Sequence, residues 1–316
     1  MFLLKRLFTR FDSSTTYVRI TCVLQCGKEP LLDSDNYQPE ILGHVLRLQM
    51  KRRPCIDPNA PECIEGRPPI ADYPRYSSII TPYSDLLHLD IKIPGEHTLE
   101  GETFDAEIQM LHTHFQPDPP RVSSLGIPIR ATKDGHNAEF QDVIDRFQLQ
   151  YDLDDYECET SAAGSGGRRR RNLSRRRSRR LDMNMTHVEY QDDLQRRQRE
   201  LQASSRNFDP YSESFMRDIY FYRYDGSITE PPCFFITWWV MIDPMIVSYE
   251  QLYQLKVLLF THVDPTQNCE PSSVHNTEQK VTRPIFPLGN DRDIQKCDKG
   301  DFVSDVEKGR GDGNKC

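Results

Sequence analysis

Apolar and polar positions alternate with a period of two over several short stretches of the chain. Leu86–Ile93 carries His88, Asp90 and Lys92 on one parity and apolar residues on the other. Phe104–Thr113 alternates in the same way, and Ser124–Ala131 and Ile219–Tyr224 are short runs rich in β-formers. Such runs predict half-buried strands. Phe234–Ile242 is apolar at every position but Thr237 and is closed by Asp243-Pro244, which predicts a buried central strand. A helix is expected over Tyr249–Phe260, with Ser248 as its N-cap and Glu250 and Gln251 in its first turn. The pattern predicts a mainly β protein with minor helical content. No internal repeat is evident.

The pattern breaks between residues 152 and 206. DLDDYECE is acidic, SAAGSGG is a flexible composition, and RRRRNLSRRRSRR is strongly basic. An amphiphilic Gln/Arg-rich stretch from about His187 to Gln202 has the composition of a solvated helix. The expectation is a disordered Arg-rich insertion at about 155–206 in a surface loop, because loop-closure entropy grows slowly with length.

Charge changes this picture only in one place. Nine of the thirteen residues Arg168–Arg180 are arginines; subtracting them from the net charge of −8 leaves −17 on the rest. An acidic body with one basic block is not a general nucleic-acid-binding composition. The block is expected to be a solvated loop, with an acidic or polyanionic partner as the alternative, and no specific nucleic acid. Asn172 and Asn184 stand in N-x-S/T sequons. Arg310-Gly311-Asp312 is a three-residue match to an adhesion tripeptide and is expected by chance.

The chain has 9 cysteines among its 316 residues, with no paired CxxC spacing of a zinc site. They predict one to three disulfides in an oxidising compartment. The N-terminal MFLLKRLFTRF is interrupted by Lys5, Arg6 and Arg10, so it does not read as a clear signal peptide. No stretch reaches the roughly 18 apolar residues of a membrane span.

Residues 85–114, DLLHLDIKIPGEHTLEGETFDAEIQMLHTH, carry a more specific signal. They resemble the two zinc-bearing strands of the α-class carbonic anhydrases, which read like HFHxPSEHxxxGxxFxxExHxxH. Pro94-Gly95-Glu96-His97-Thr98 stands for PSEHT, Gly101 and Phe104 keep their places, and Glu107 and His112 fall in register. Ser124-Leu125-Gly126-Ile127, Phe208-Asp209-Pro210, YRYDGSITEPPC (222–233), WWVMIDPMIVSYEQL (238–252) and Arg283-Pro284 followed by Phe286-Pro287-Leu288 occur in the family's order. Together they cover about 85–290 apart from the insertion. The resemblance implies a large, twisted, mostly antiparallel central sheet with a few short surface helices. It divides the chain into a poorly resembling segment 1–40, a domain over 41–316 interrupted at about 155–206, and a polar tail at 298–316. Secretion is implied in the same way.

The same alignment places the three zinc-ligand histidines at Asp90, Lys92 and Gln109. A carboxylate, an ammonium and an amide make a poor zinc site, so no cofactor is expected, although zinc is the family's. The supporting positions are better kept. Thr229 and Glu96 match the pair that orients the metal hydroxide, and Glu107 matches the residue that bonds the third histidine. Leu111, Ser124 and Trp238 match the lining of the CO₂ pocket. Glu230 replaces a small hydroxyl residue where bicarbonate or another small anion would bind. Cys233 matches a cysteine that pairs near the N-terminus, with Cys22 or Cys26 as its partner. The resemblance therefore implies a carbonic-anhydrase-like binding or structural module with weak or no CO₂ hydration. The alternative is a divergent active carbonic anhydrase with a remodelled metal site, for which His88 and Asp90 are an alternative ligand pair.

Lys92, paired with Asp90 and Gln109, is expected to take the place of the metal cation. His97 and His112 are expected to be hydrogen-bonded framework residues, with His112 and His114 on the face opposite Gln109. His44, in a polar segment, is expected to be surface decoration.

Overall fold

The structure, a computed structural model, describes residues 20–21, 32, 34–51, 75–78, 84–114, 121–164, 186–204, 208–218, 220–275 and 293–297. The arginine block, Cys22, Cys26 and the tail lie outside these residues.

Among the described residues, eleven strands form one sheet. Along its main path run β1 (Ile20–Thr21), β4 (Arg75–Ser78), β5 (Ser84–Lys92), β8 (Ala106–His114), β9 (Arg121–Thr132), β11 (Phe235–Met241), β10 (Phe221–Ser227) and β15 (Gln295–Cys297). The hairpin of β2 (Tyr37–Leu42) and β3 (Val45–Met50) joins through β3 to β5, and β12 (Met245–Ser248) pairs with β9. Every pairing among them is antiparallel except β9 with β11 and β9 with β12. Two small ribbons complete the described strands: β6 (Thr98–Leu99) with β7 (Glu102–Thr103), and β13 (Val263–Asp264) with β14 (Glu270–Pro271).

Alternation assigns each strand residue to one of two faces. Leu46 and Leu48 of β3, Leu89 and Ile91 of β5, Ile108 and Met110 of β8, Leu125 and Ile127 of β9, and Trp239 and Met241 of β11 are buried on one face. Two helices cover that face. α1 (Ala138–Gly164) contributes Phe140, Val143, Ile144 and Phe147, the spacing of a single helical stripe. α3 (Tyr249–Thr261) adds Leu252, Leu255, Leu258 and Leu259. Each such side chain stabilises the fold by about 1.5–3 kcal/mol when fully buried. Ser248 caps α3 as expected, in a reciprocal capping box with Gln251.

Helix content is larger than expected. α1 has 27 residues and runs through the acidic DLDDYECE stretch, so residues 155–164 are helical rather than disordered. α2 (His187–Ala203) is the helix foreseen at His187–Gln202, but it is not wholly solvated. Tyr190 and Leu194 are buried, and Arg197 pairs with Asp152 of α1 at 2.6 Å. Thr186 caps it in a box with Glu189, so the threonine of the second sequon has a structural role.

Cys158, near the end of α1, forms a disulfide with Cys269 in the β13–β14 loop. Cys233 is an exposed free thiol, and the partners expected for it, Cys22 or Cys26, lie outside the described residues. No helix among the described residues is long and apolar enough to cross a membrane.

Candidate functional site

The other face of the same strands is polar at its centre. β5 and β8 are in register with Asp90 opposite Gln109 and Lys92 opposite Glu107. Opposed residues of antiparallel strands share a face, so Asp90, Lys92, Glu107 and Gln109 project together. All four are buried. The next strand, β3, sets Arg47 opposite Asp90.

Arg47 is the hub of this polar centre. Its Nε and Nη2 donate to the two oxygens of Asp90, each at 2.7 Å, a bidentate pair. Nη2 also donates to both oxygens of Glu230, at 3.0 and 3.2 Å. Lys92 Nζ donates to Glu230 Oε1 at 2.8 Å, and His44 Nε2 lies 2.8 Å from the same oxygen. Two cations and two carboxylates thus interlock. Burial opposes ionisation of Glu230, but His44, Lys92 and Arg47 outweigh it and hold the carboxyl well below its usual range. Burial likewise opposes the Arg47 charge, yet its bonds to Asp90 and the charges of Asp90 and Glu230 raise its pKa further.

This arrangement corrects the sequence reading at three points. Lys92 does not pair with Asp90 and Gln109; its ammonium goes to Glu230. Asp90 is taken by Arg47, a residue the sequence did not single out. His44 is not mere surface decoration, because the tip of the β2–β3 hairpin brings it against Glu230. That tip is docked closely: Val274 N donates to Gly43 O at 2.8 Å, and a Cβ at Gly43 would stand 2.5 Å from Ser272 O.

A second cluster lies beside the first. Glu107 accepts from the backbone N–H of Glu96 and of His97, both at 2.9 Å, and its other oxygen meets His97 Nδ1 at 2.5 Å. His97 Nε2 contacts Tyr224 Oη at 2.7 Å. Burial lowers the His97 pKa, but the charge and hydrogen bond of Glu107 reverse this and raise it overall; against its own burial, Glu107 is lowered by His97. Gln109 Nε2 donates to Glu96 Oε2 at 3.0 Å and to Glu107 Oε1 at 3.2 Å. The Glu96 carboxylate is therefore turned to Gln109. Gly126 makes room for the cluster, since a Cβ there would be 3.0 Å from Glu107 Oε1. His112 lies on the opposite face, fully buried, with Nε2 2.6 Å from Tyr211 Oη. His97 and His112 are both hydrogen-bonded framework residues, and the side chain of His114 lies outside the described ones.

Above these groups is a cavity of about 80 Å³ lined by Arg47, His88, Asp90, Gln109, Leu111, Ser124, Ile228, Thr229, Glu230 and Trp238. It gathers the residues assigned to a pocket from sequence, Leu111, Ser124, Glu230 and Trp238, together with Thr229 of the expected hydroxide-orienting pair, and adds Arg47 and Ile228. Trp238, Leu111 and Ile228 make one wall apolar, and Ile236 and Val240 pack in the same cluster as Trp238. His88 stands in the same cavity with Nε2 3.7 Å from Asp90 Oδ2. Burial lowers its pKa and, with the Arg47 and Lys92 charges, outweighs the opposing pull of Asp90 and Glu230, which favours the neutral imidazole.

Residues 176–297 match a family model described as eukaryotic-type carbonic anhydrase. Over that stretch the chain is carbonic-anhydrase-like. The matched segment holds Thr229, Glu230 and Trp238 but not β5 or β8. Similar solved structures include an α-carbonic anhydrase from Thermovibrio ammonificans in complex with sulfanilamide, at 16% identity, covering 84% of this chain and 76% of that one with a TM-score of 0.42. Cah3 from Chlamydomonas reinhardtii is 12% identical over 93% of this chain and 87% of that one, with a TM-score of 0.47. The Photobacterium profundum α-carbonic anhydrase is 15% identical over 84% of this chain and 80% of that one, with a TM-score of 0.40.

The residues at the three positions aligned with the zinc ligands do not fit a zinc ion. Zinc takes imidazole, thiolate or carboxylate ligands. Here both Asp90 oxygens are held by a guanidinium, Lys92 presents an ammonium, and Gln109 turns its donor nitrogen to two glutamates.

Proposed function

We propose that the protein is a carbonic-anhydrase-related binding module in which the zinc position has been rebuilt as an ion-pair lattice, leaving CO₂ hydration weak or absent. One observation carries this reading. At the three positions aligned with the zinc ligands, Asp90 is bound by Arg47, Lys92 by Glu230, and Gln109 by Glu96 and Glu107. Hydration by this family's route needs a metal-bound water whose pKa is brought to about 7, and no group in the lattice supplies that. The cavity remains as a ligand surface with one apolar wall and one charged, fully paired wall. Glu230 disfavours bicarbonate there, so a small polar ligand with an apolar face suits it better than an anion. The Cys158–Cys269 disulfide agrees with an oxidising, secretory setting.

Stopped-flow CO₂ hydration with and without added Zn²⁺, alongside metal analysis of the purified chain, tests the proposal. The expected result is a rate no faster than buffer in both cases. One tightly bound zinc per chain with saturable hydration would overturn it.

A second reading has one observation in its favour. The neutral imidazole of His88 stands beside Asp90 in the cavity, the beginning of a remodelled metal site in a divergent active enzyme. In that case hydration would be measurable with added metal and would vanish in His88→Ala.

A further inference from the structure

The lattice contains one group whose position explains more than its own ion pair. Arg47 comes from β3, outside the strands that carry Asp90, Lys92 and Gln109, and it bridges the two carboxylates Asp90 and Glu230. A divalent cation bound at this spot would draw on the same carboxylates. His88 flanks Asp90 and His44 flanks Glu230, so groups that ordinarily ligate metals surround the guanidinium on both sides. Among the described residues no three of them converge on a common point. Their carboxylates are turned to Arg47 instead.

We infer that Arg47 is the residue that excludes a divalent metal from this cavity, by acting as a permanent resident cation clamped on Asp90 and Glu230. This rests on the reading that Asp90, Lys92 and Gln109 stand at a former metal position, and it adds that the missing histidines alone do not account for the loss. The physical grounds are charge, geometry and permanence. A guanidinium is not deprotonated in proteins. Its planar fork takes one lone pair on each oxygen of Asp90, the pair that a chelated cation would use, and its charge repels a second cation there. The backbone register fixes it there, because Arg47 is directly opposite Asp90 in the β3–β5 ladder. Lys92 is less decisive: it is a single donor to Glu230 and leaves Asp90 untouched.

Substitutions at these positions should then be non-additive. Lys92→His with Gln109→His places two imidazoles beside Asp90, a two-histidine, one-carboxylate donor set. With Arg47 present that set should remain weak for metal. Adding Arg47→Gln should release Asp90 and tighten binding by about 100-fold, the scale of change seen when a group controlling a ligand is altered.

The test uses the full-length chain as wild type, Arg47→Gln, Lys92→His/Gln109→His, and all three changes together. Zn²⁺ binding is read by equilibrium dialysis and Co²⁺ binding by its visible d–d absorption. Tight one-to-one binding only when Arg47 is also replaced supports the inference. Equal binding with and without Arg47 overturns it while leaving the metal-position reading intact. No binding in any variant overturns that reading, and the inference with it. If the paired histidine variants do not fold by circular dichroism, Gln109→His with and without Arg47→Gln poses the same question with one new imidazole beside Asp90 and His88. There too, metal uptake that does not depend on Arg47 overturns the inference.

Discussion

The two faces of the central sheet are built from alternate residues of the same strands, yet they are held together by different means. On the helix-covered face, Leu89, Ile91, Ile108, Met110, Leu125 and Ile127 pack without polar partners. On the cavity face, their neighbours Asp90, Lys92, Glu107 and Gln109 are equally buried but each is satisfied by hydrogen bonds. Burial on the first face is favourable in itself. On the second it is tolerable only because every charge has an opposite charge against it. The apolar face can therefore absorb a conservative change, whereas removing one member of the lattice strands another.

The largest effect should come from the apolar face. Phe147→Ala removes a fully buried ring between α1 and the sheet and should cost about 3–5 kcal/mol, read as a lower denaturant midpoint with an unchanged slope.

Next, Arg47→Met should cost about 3 kcal/mol, because it leaves Asp90 buried and unpaired. The contrast sharpens when Asp90→Leu is added. Removing both charges should recover much of the loss, and a double-mutant cycle would show strong coupling. Simple additivity would mean that the two faces respond alike.

A smaller effect is the pH dependence, which should divide between the faces. On the apolar side, burial pushes His112 down to about 3, against about 6.5 unfolded. The unfolded chain binds the extra proton, so this stability is present above about pH 6.5 and is lost as pH falls toward 3. On the cavity side, the lowered Glu230 contributes stability that is present above its unfolded value of about 4.3 and is lost as pH falls below it. His112→Asn should flatten the midpoint-versus-pH curve in the upper window, and Glu230→Gln only in the lower one. A shared response in one window would remove the distinction.

The apolar face was legible in the sequence because its information is local. A period of two located β5 and β8, a run of β-formers located β9, and Ser248 marked the start of α3. The motif blocks also named Leu111, Ser124, Thr229, Glu230 and Trp238, which the fold brings to one cavity. The lattice was less legible because its members are far apart in the chain. Arg47 is 43 residues from Asp90 and 183 from Glu230, and nothing local to either end announces the pairing. Lys92 was given the wrong partner for the same reason: Asp90 is near it in sequence, whereas Glu230 is 138 residues away. The miss at α1 was of another kind. Phe140, Val143, Ile144 and Phe147 have plain helical spacing, but the acidic run after them drew the segment into the insertion.

The Cys158–Cys269 bond encloses the whole arginine-rich stretch within its loop of 111 residues. A protease that cuts after any of those arginines would nick the chain without parting it, because the fragments on either side each keep one of the two sulfurs. Such a molecule would run at full mass on a non-reducing gel and as two pieces once reduced.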